Sequence, residues 1–332
     1  MVSQTQDRWR VWLLPGIVTL VSLVLLFGVM PYNLGYGQVP VSVSGALWYL
    51  WSLPDWEHGL FVPLIVGFLV YWKRDLWRSL PVKGSTRSGL AGLVLSMVLY
   101  WIGYKIDITA VGFLALHCFL GALIVWFLGW RWIWTLLFPF SFLIFAWPFP
   151  FLDSIAFQLR IVMSGLSHHF LNIIGIDNIR SGTAILSAPD YVKRLPQGAK
   201  FQLDVADPCS GIRSLFALNM VTALYAYVMI KETWKKWVVF ACAAPLAILG
   251  NLGRIVMLTF GTLLLGPEVA IGSEEHPSTF HMLSGIFVFV VALGGMAMVG
   301  WLLESGGRQL WNRAVPFYRE MIKPEKRGEQ KR

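Results

Sequence analysis

The chain has 332 residues, 56% of them hydrophobic and 14% charged, with a mean hydropathy of +0.62. That balance excludes a water-soluble domain of this length and marks an integral membrane protein. The net charge of +9 does not mark a nucleic-acid binder, because the basic residues sit at the N-terminal start, in short loops and in the C-terminal tail, where they report membrane topology.

About twenty apolar residues cross a bilayer at about 1.5 Å per residue. By that rule eight spans are predicted, near 11–30, 57–72, 89–105, 108–129, 132–152, 211–230, 237–265 and 281–303. The first follows Arg8 and Arg10 as a signal peptide would, but it is long enough to span and lacks a convincing small-residue cleavage site, so it is read as a membrane helix. Seventeen tryptophans suit rings anchored at headgroup level on several spans. The recurring prolines of FPFSFLIFAWPFPFL are expected to bend or end the fifth span.

Between the fifth and sixth spans lies an external segment, 153–210. Its first part mixes Arg160, His168 and His169 into an apolar background and reads as a short interfacial amphipathic helix. TAILSA and KFQLDV then flank a polar, proline-containing turn, the pattern of a small β-hairpin. The fold class is therefore an all-α polytopic membrane protein with one small β element. It has a multi-span domain over 1–303 and a basic cytoplasmic tail over 304–332.

The positive-inside rule gives sidedness. Lys73, Arg74, Arg78, Lys83 and Arg87 follow the second span, Arg131 the fourth, and Lys231, Lys235 and Lys236 the sixth. All fall inside if the N-terminus is inside, which makes both termini cytoplasmic. The stretch from Pro31 to Trp56 contains no Lys or Arg, as suits an external loop. In 153–210, Arg180, Lys193, Arg194 and Lys200 are balanced by Asp177, Asp190, Asp204 and Asp207.

With this topology Cys209 lies at the outer end of the sixth span. DPCSGIR reads as a helix start, with Asp207 as N-cap, Pro208 at the first helical position and Cys209 in the first turn. A helix N-terminus stabilises a thiolate, and Arg213 at i+4 adds positive charge on the same face. Taken alone, Cys209 reads more readily as a small buried residue and Arg213 as an interface anchor.

Within the seventh span, Arg254 costs roughly 2.5–3.5 kcal/mol even on the lenient insertion scale, so it faces protein or water. Asn251 shares its face at i−3. A bundle-stabilising role and a chemical one both fit. His276 falls in the external loop and His281 at the outer end of the eighth span, where a histidine also serves as a polar cap. Gly285, one turn on, leaves room for a neighbouring helix or a bound chain. A thiol, a guanidinium and an imidazole at one membrane face suffice for acyl transfer, with nucleophile, oxyanion stabiliser and proton shuttle and no metal or other cofactor.

CSGIR, a span with NLGR and a span opening with HMLSG together resemble the exosortase/archaeosortase family of membrane transpeptidases, and DWEHGLFVPLIVGFLVYWKRD resembles that family's early histidine-glycine-proline span. The likeness runs from about Asp55 to Trp301. It implies Cys209 as nucleophile, Arg254 as oxyanion or substrate stabiliser and His281 as general acid/base. A histidine in the last position points to the bacterial exosortase side, and hence to the bacterial cytoplasmic membrane. The implied substrates are secreted proteins ending in a short motif such as Pro-Glu-Pro, a membrane span and a basic tail. The implied acceptor is an unidentified nucleophile, with membrane lipids as surroundings and no nucleic acid. Glu57 departs from the small residue expected before His58 and points to a different signal motif.

Two other function classes compete. A transporter would line a pathway with Arg254 and Asn251, but no acidic partner stands within a confident span and no inverted repeat is evident. A non-enzymatic factor for envelope polysaccharide assembly or protein export would leave Cys209 dispensable. A metal cluster of His168, His169, His276 and His281 is disfavoured, because adjacent helical histidines diverge and no HExxH pattern occurs. Three cysteines at unrelated spacings give no disulfide framework, and Cys118, beside His117, and Cys242 read as packing residues.

Overall fold

The computed structural model describes residues 15–34, 39–54, 56–149, 151–204, 212–273, 276 and 278–306. The chain divides into two compact units between Asp153 and Ser154.

The first unit begins with α1 (Pro15–Val29), which ends in a π-helical turn over Val24–Val29. A ribbon follows, with β1 (Asn33–Leu34) antiparallel to β2 (Pro40–Val41). Next comes α2 (Val43–Ser52), whose N-cap Ser42 accepts a hydrogen bond from the Gly45 amide. This helix lies in the stretch read from sequence as a loop. Ten residues are too few to span, so a search for spans passes over it. A 3-10 turn over Glu57–Leu60 leads into α3 (Val62–Trp72), which carries Pro63 in its first turn where no amide donor is needed. The short α4 (Arg74–Arg78) follows.

The two helices α5 (Thr86–Ile106) and α6 (Thr109–Phe127) form a helical hairpin. Asp107 makes the turn in the left-handed region at φ 54°, its amide bonding the Gly103 carbonyl. Helix α5 is apolar outward and small inward: Gly89, Ser96 and Gly103 are buried, while Val94, Leu95, Val98 and Trp101 are exposed. Lipid is as apolar as leucine, so helices in a membrane gain most from close backbone approach and small contact residues. A Cβ on Gly92 would stand 2.8 Å from the Ala122 Cβ, and the Ser96 hydroxyl donates to the Ala115 carbonyl at 2.8 Å. Tyr32 lies against Gly103 and Gly112 with 1% exposure, and the neighbouring Asn33 amide donates to the Thr109 hydroxyl.

The expected fifth span is not one helix. It consists of α7 (Trp130–Thr135), α8 (Leu137–Phe142) and a 3-10 turn over Leu143–Ala146. Pro139 has no amide hydrogen to bond the carbonyl four residues back, so the helix breaks at Leu136 and restarts with Pro139 in its first turn. Pro148 likewise holds the preceding Trp147 extended, at ψ 120°.

Helix α9 (Phe151–Ile173), the helix read as interfacial, carries the chain into the second unit. It buries Met163, Ser164, Ser167 and Leu171 and exposes Phe157, Val162, Leu166 and Ile173. The β element is larger than the expected hairpin. β3 (Asn178–Ser181), β4 (Ala184–Ser187) and β5 (Gln202–Asp204) form an antiparallel sheet in that order, with Ile185 paired to Leu203. The hairpin read from TAILSA and KFQLDV corresponds to β4 and β5. β3 joins because Asn178 is fixed by α9, as described below.

Then come α10 (Ile212–Met229), α11 (Thr233–Leu265), α12 (Pro267–Ala270) and α13 (Thr279–Trp301). The core of the sheet joins Met163 and Leu171 of α9 to Ile185, Phe201 and Leu203, and to Ile255 and Leu258 of α11. At 33 residues, α11 is about 50 Å long, well beyond the ~30 Å of a bilayer's hydrocarbon core.

Among the described residues four helices are long and apolar enough to cross a membrane: Thr86–Ile106, Thr109–Phe127, Thr233–Leu265 and Thr279–Glu304. The other four expected spans contain shorter apolar helices: Pro15–Val29, Glu57–Trp72, Leu137–Ala146 and Ala217–Met229. Eight membrane-crossing helices are thus not established among the described residues, and the fifth apolar run is cut by proline.

Candidate functional site

Helix α13 begins at a local signal. Ser278 is its N-cap, and the Ser278 hydroxyl accepts from the His281 amide at 3.0 Å. His281 therefore stands in the first turn, with Ser284 one turn further on. Glycines on α11 bring that helix close. A Cβ on Gly250 would stand 3.0 Å from Val288 Cγ1 and 3.1 Å from its carbonyl oxygen; one on Gly253 would stand 2.9 Å from the Phe287 ring, and one on Gly261 2.6 Å from the Phe280 ring. Small residues along one helix face let the partner helix close in.

Arg254 fills the gap that this approach leaves. It is 8% exposed, and its two bonds diverge from one edge of the guanidinium. Nη2 lies 3.0 Å from His281 Nε2, and Nε donates to Ser284 Oγ at 3.1 Å. The Ser284 hydroxyl in turn donates to the His281 carbonyl at 2.6 Å. His281 and Ser284 are both buried. A charge within an apolar span is costly unless its donors find partners; here an imidazole and a hydroxyl take two of them. Asn251, also buried, lies one turn before Arg254 on the same face. Gly285 borders the guanidinium: a Cβ there would stand 3.9 Å from Nη2, an ordinary contact.

Of the residues singled out from sequence, the fold brings together Arg254 and His281, with Asn251 and Gly285 beside them. Asp207 and Cys209 lie outside the described residues, as does the proposed helix cap at Asp207 and Pro208. Arg213 belongs to the first turn of α10, but its side chain also lies outside them. His276 is exposed in a local turn in which its amide donates to Ser273 Oγ.

His168 has a structural partner. Its Nδ1 lies 2.7 Å from the side-chain oxygen of Asn178, whose amide nitrogen donates to Asn172 Oδ1 and to the Ile176 carbonyl, each at 2.9 Å. This network ties α9 to the start of β3. Sequence reasoning missed Ser284 and the capping Ser278. The signals were their spacings of three residues after and before His281, which put Ser284 on the histidine's face and Ser278 at a cap.

In the first unit the His58-Gly59 stretch also has a packing role. Gly59 lies directly against the Trp51 indole, whose Nε1 donates to the Ala146 carbonyl at 2.8 Å. Any side chain at 59 would displace that ring. His117 accepts from Trp147 Nε1 at 3.0 Å, which ties α6 to the segment before Pro148.

A family model described as transmembrane exosortase matches residues 50–298, three quarters of the chain. The match takes in α3, both glycine-lined helix pairs and the Arg254–His281 contact. The chain belongs to the transmembrane exosortase family. No curated protein and no solved structure matches it.

Proposed function

We propose that this protein is a membrane cysteine transpeptidase that cleaves the C-terminal sorting signals of secreted proteins and passes the acyl group to an acceptor. The observation that supports this reading is the buried contact of Arg254 with His281, a guanidinium suited to stabilising an oxyanion beside an imidazole suited to moving a proton. Family membership supports it.

In the proposed reaction His281 takes the proton of the Cys209 thiol, and the thiolate attacks the scissile carbonyl carbon. A C–S bond forms while the carbonyl oxygen becomes an oxyanion, stabilised by Arg254. Collapse breaks the C–N bond, and the leaving amine departs with the proton from His281. An acceptor nucleophile then attacks the thioester and gives its proton to His281. The thiolate leaves and is reprotonated. Asp207 would cap the helix that carries the thiol, Arg213 would support the thiolate, and Asn251 and Gly285 would shape the pocket.

The substrates are secreted proteins bearing a Pro-Glu-Pro-like motif, a membrane span and a basic tail. The site faces outward from a bacterial cytoplasmic membrane, with both termini inside, as the distribution of Lys and Arg supports.

Co-expression with a secreted reporter carrying such a tail tests this. Wild type is expected to shorten the reporter, with any added mass naming the acceptor, while Cys209→Ala, Arg254→Ala and His281→Ala do not. If wild type and Cys209→Ala process alike, or neither processes any of several tails, with both proteins present in the membrane, the transpeptidase reading is wrong and a transporter or assembly role takes its place.

A further inference from the structure

We propose that Ser284 is a positioning residue that latches Arg254 onto His281 and so fixes which imidazole nitrogen carries the proton. The proposal rests on the reading of Arg254 and His281 as the working pair.

A guanidinium has five N–H donors and no acceptor. Its Nη2, 3.0 Å from His281 Nε2, therefore needs a lone pair there, which puts the proton of a neutral imidazole on Nδ1. One such contact would leave the guanidinium free to swing. The second bond, from Nε to Ser284 Oγ at 3.1 Å, fixes the plane of the fork. Ser284 cannot reverse this order. Its only proton is directed to the His281 carbonyl at 2.6 Å, so its oxygen meets Arg254 as an acceptor. The chain of donors runs one way, from Arg254 through Ser284 to the backbone of the residue whose side chain Arg254 also holds.

This arrangement covers the basic nitrogen of His281 in the resting enzyme. Nε2 becomes available to accept a proton when Nη2 is drawn to the carbonyl oxygen of a bound substrate. Substrate arrival and release of the base are then one event, and Ser284 sets the position from which the guanidinium moves. Buried at 0% exposure, the hydroxyl is shielded from competing water.

Full-length protein labelled with 15N-histidine in lipid bilayers tests the latch without reference to activity. The His281 signals, assigned by their loss in His281→Asn, are expected to show a proton on Nδ1 and a bare Nε2. Ser284→Ala is expected to give a mixture of tautomers, and Ser284→Thr, which keeps the hydroxyl, to restore the single form. A proton on Nε2 in the wild type, or a wild-type tautomer in Ser284→Ala, overturns the proposal.

If the reporter is processed, Ser284→Ala is expected to lower kcat by about ten- to hundred-fold, the loss of one hydrogen bond to a charged group, with KM little changed and Ser284→Thr recovering it. A loss of thermal stability with kcat unaltered also overturns the proposal. If no reporter is processed, the histidine spectra still decide it.

Discussion

Replacing Arg254 with lysine keeps the positive charge and removes the fork. Arg254 makes two bonds from one edge of its guanidinium, at 3.0 Å to His281 Nε2 and 3.1 Å to Ser284 Oγ. A single ammonium on a flexible stem cannot occupy both positions. At least one bond to a charged donor is lost, worth about 1.5–3 kcal/mol, and a buried acceptor is left without it. If the guanidinium also meets the oxyanion, the cost to the chemical step is that of a lost oxyanion donor, about 10²–10³-fold in kcat. The assay is the mass-resolved rate of reporter shortening at matched protein abundance in the membrane. Arg254→Lys is expected to fall by that factor, and Arg254→Ala further. Processing by Arg254→Lys within threefold of wild type would refute the idea that the fork does the work, and would leave Arg254 as a packing cation.

Three other outcomes follow from the fold. Gly112→Ala would place a methyl 2.8 Å from the Tyr32 ring, an overpacking expected to cost about 1–3 kcal/mol; Tyr32→Phe removes a buried hydroxyl with no partner among the described residues and is expected to leave thermal stability in detergent unchanged or raised, so a marked loss on Tyr32→Phe contradicts this packing. Asn178→Ala strips His168 and Asn172 of their shared partner, and with buried polar groups costing about 1–3 kcal/mol each when unpaired, limited proteolysis is expected to cut first between α9 and β3; an unchanged cleavage pattern speaks against the network. Asp190 accepts from Lys200 at 2.7 Å and from the Val192 and Lys193 amides, and the Lys200 hydrogen bond above all, with the Lys193 amide next, holds its carboxyl below the usual carboxylate range. The turn gains stability from this above the ordinary pKa of about 3.9 and loses it as pH falls through the lowered value; hydrogen-exchange protection of Val192 and Lys193 is expected to hold near neutrality and fade in strong acid, and protection that does not change with pH counts against it.

The sequence by itself determined the class of protein, because hydropathy and the placement of charge are sums over local residues and need no partner. It also picked out Arg254, whose cost inside an apolar run requires a reason wherever the helix packs, and His281 at a helix entrance. The hairpin of β4 and β5 was legible from alternation. Tertiary structure alone decided the rest. The prolines already marked the fifth span for a bend or an end; the structure decided that the break falls at Leu136 and that a second helix restarts with Pro139 in its first turn. β3 was hidden because four residues carry little periodic signal; Asn178 is held there by His168 and Asn172, contacts that cross from helix to strand. Ser284 was hidden for the same reason. A lone serine in a span reads as filler until the glycines of α11 bring Arg254 close enough for its hydroxyl to take Nε on the same guanidinium edge from which Nη2 meets His281.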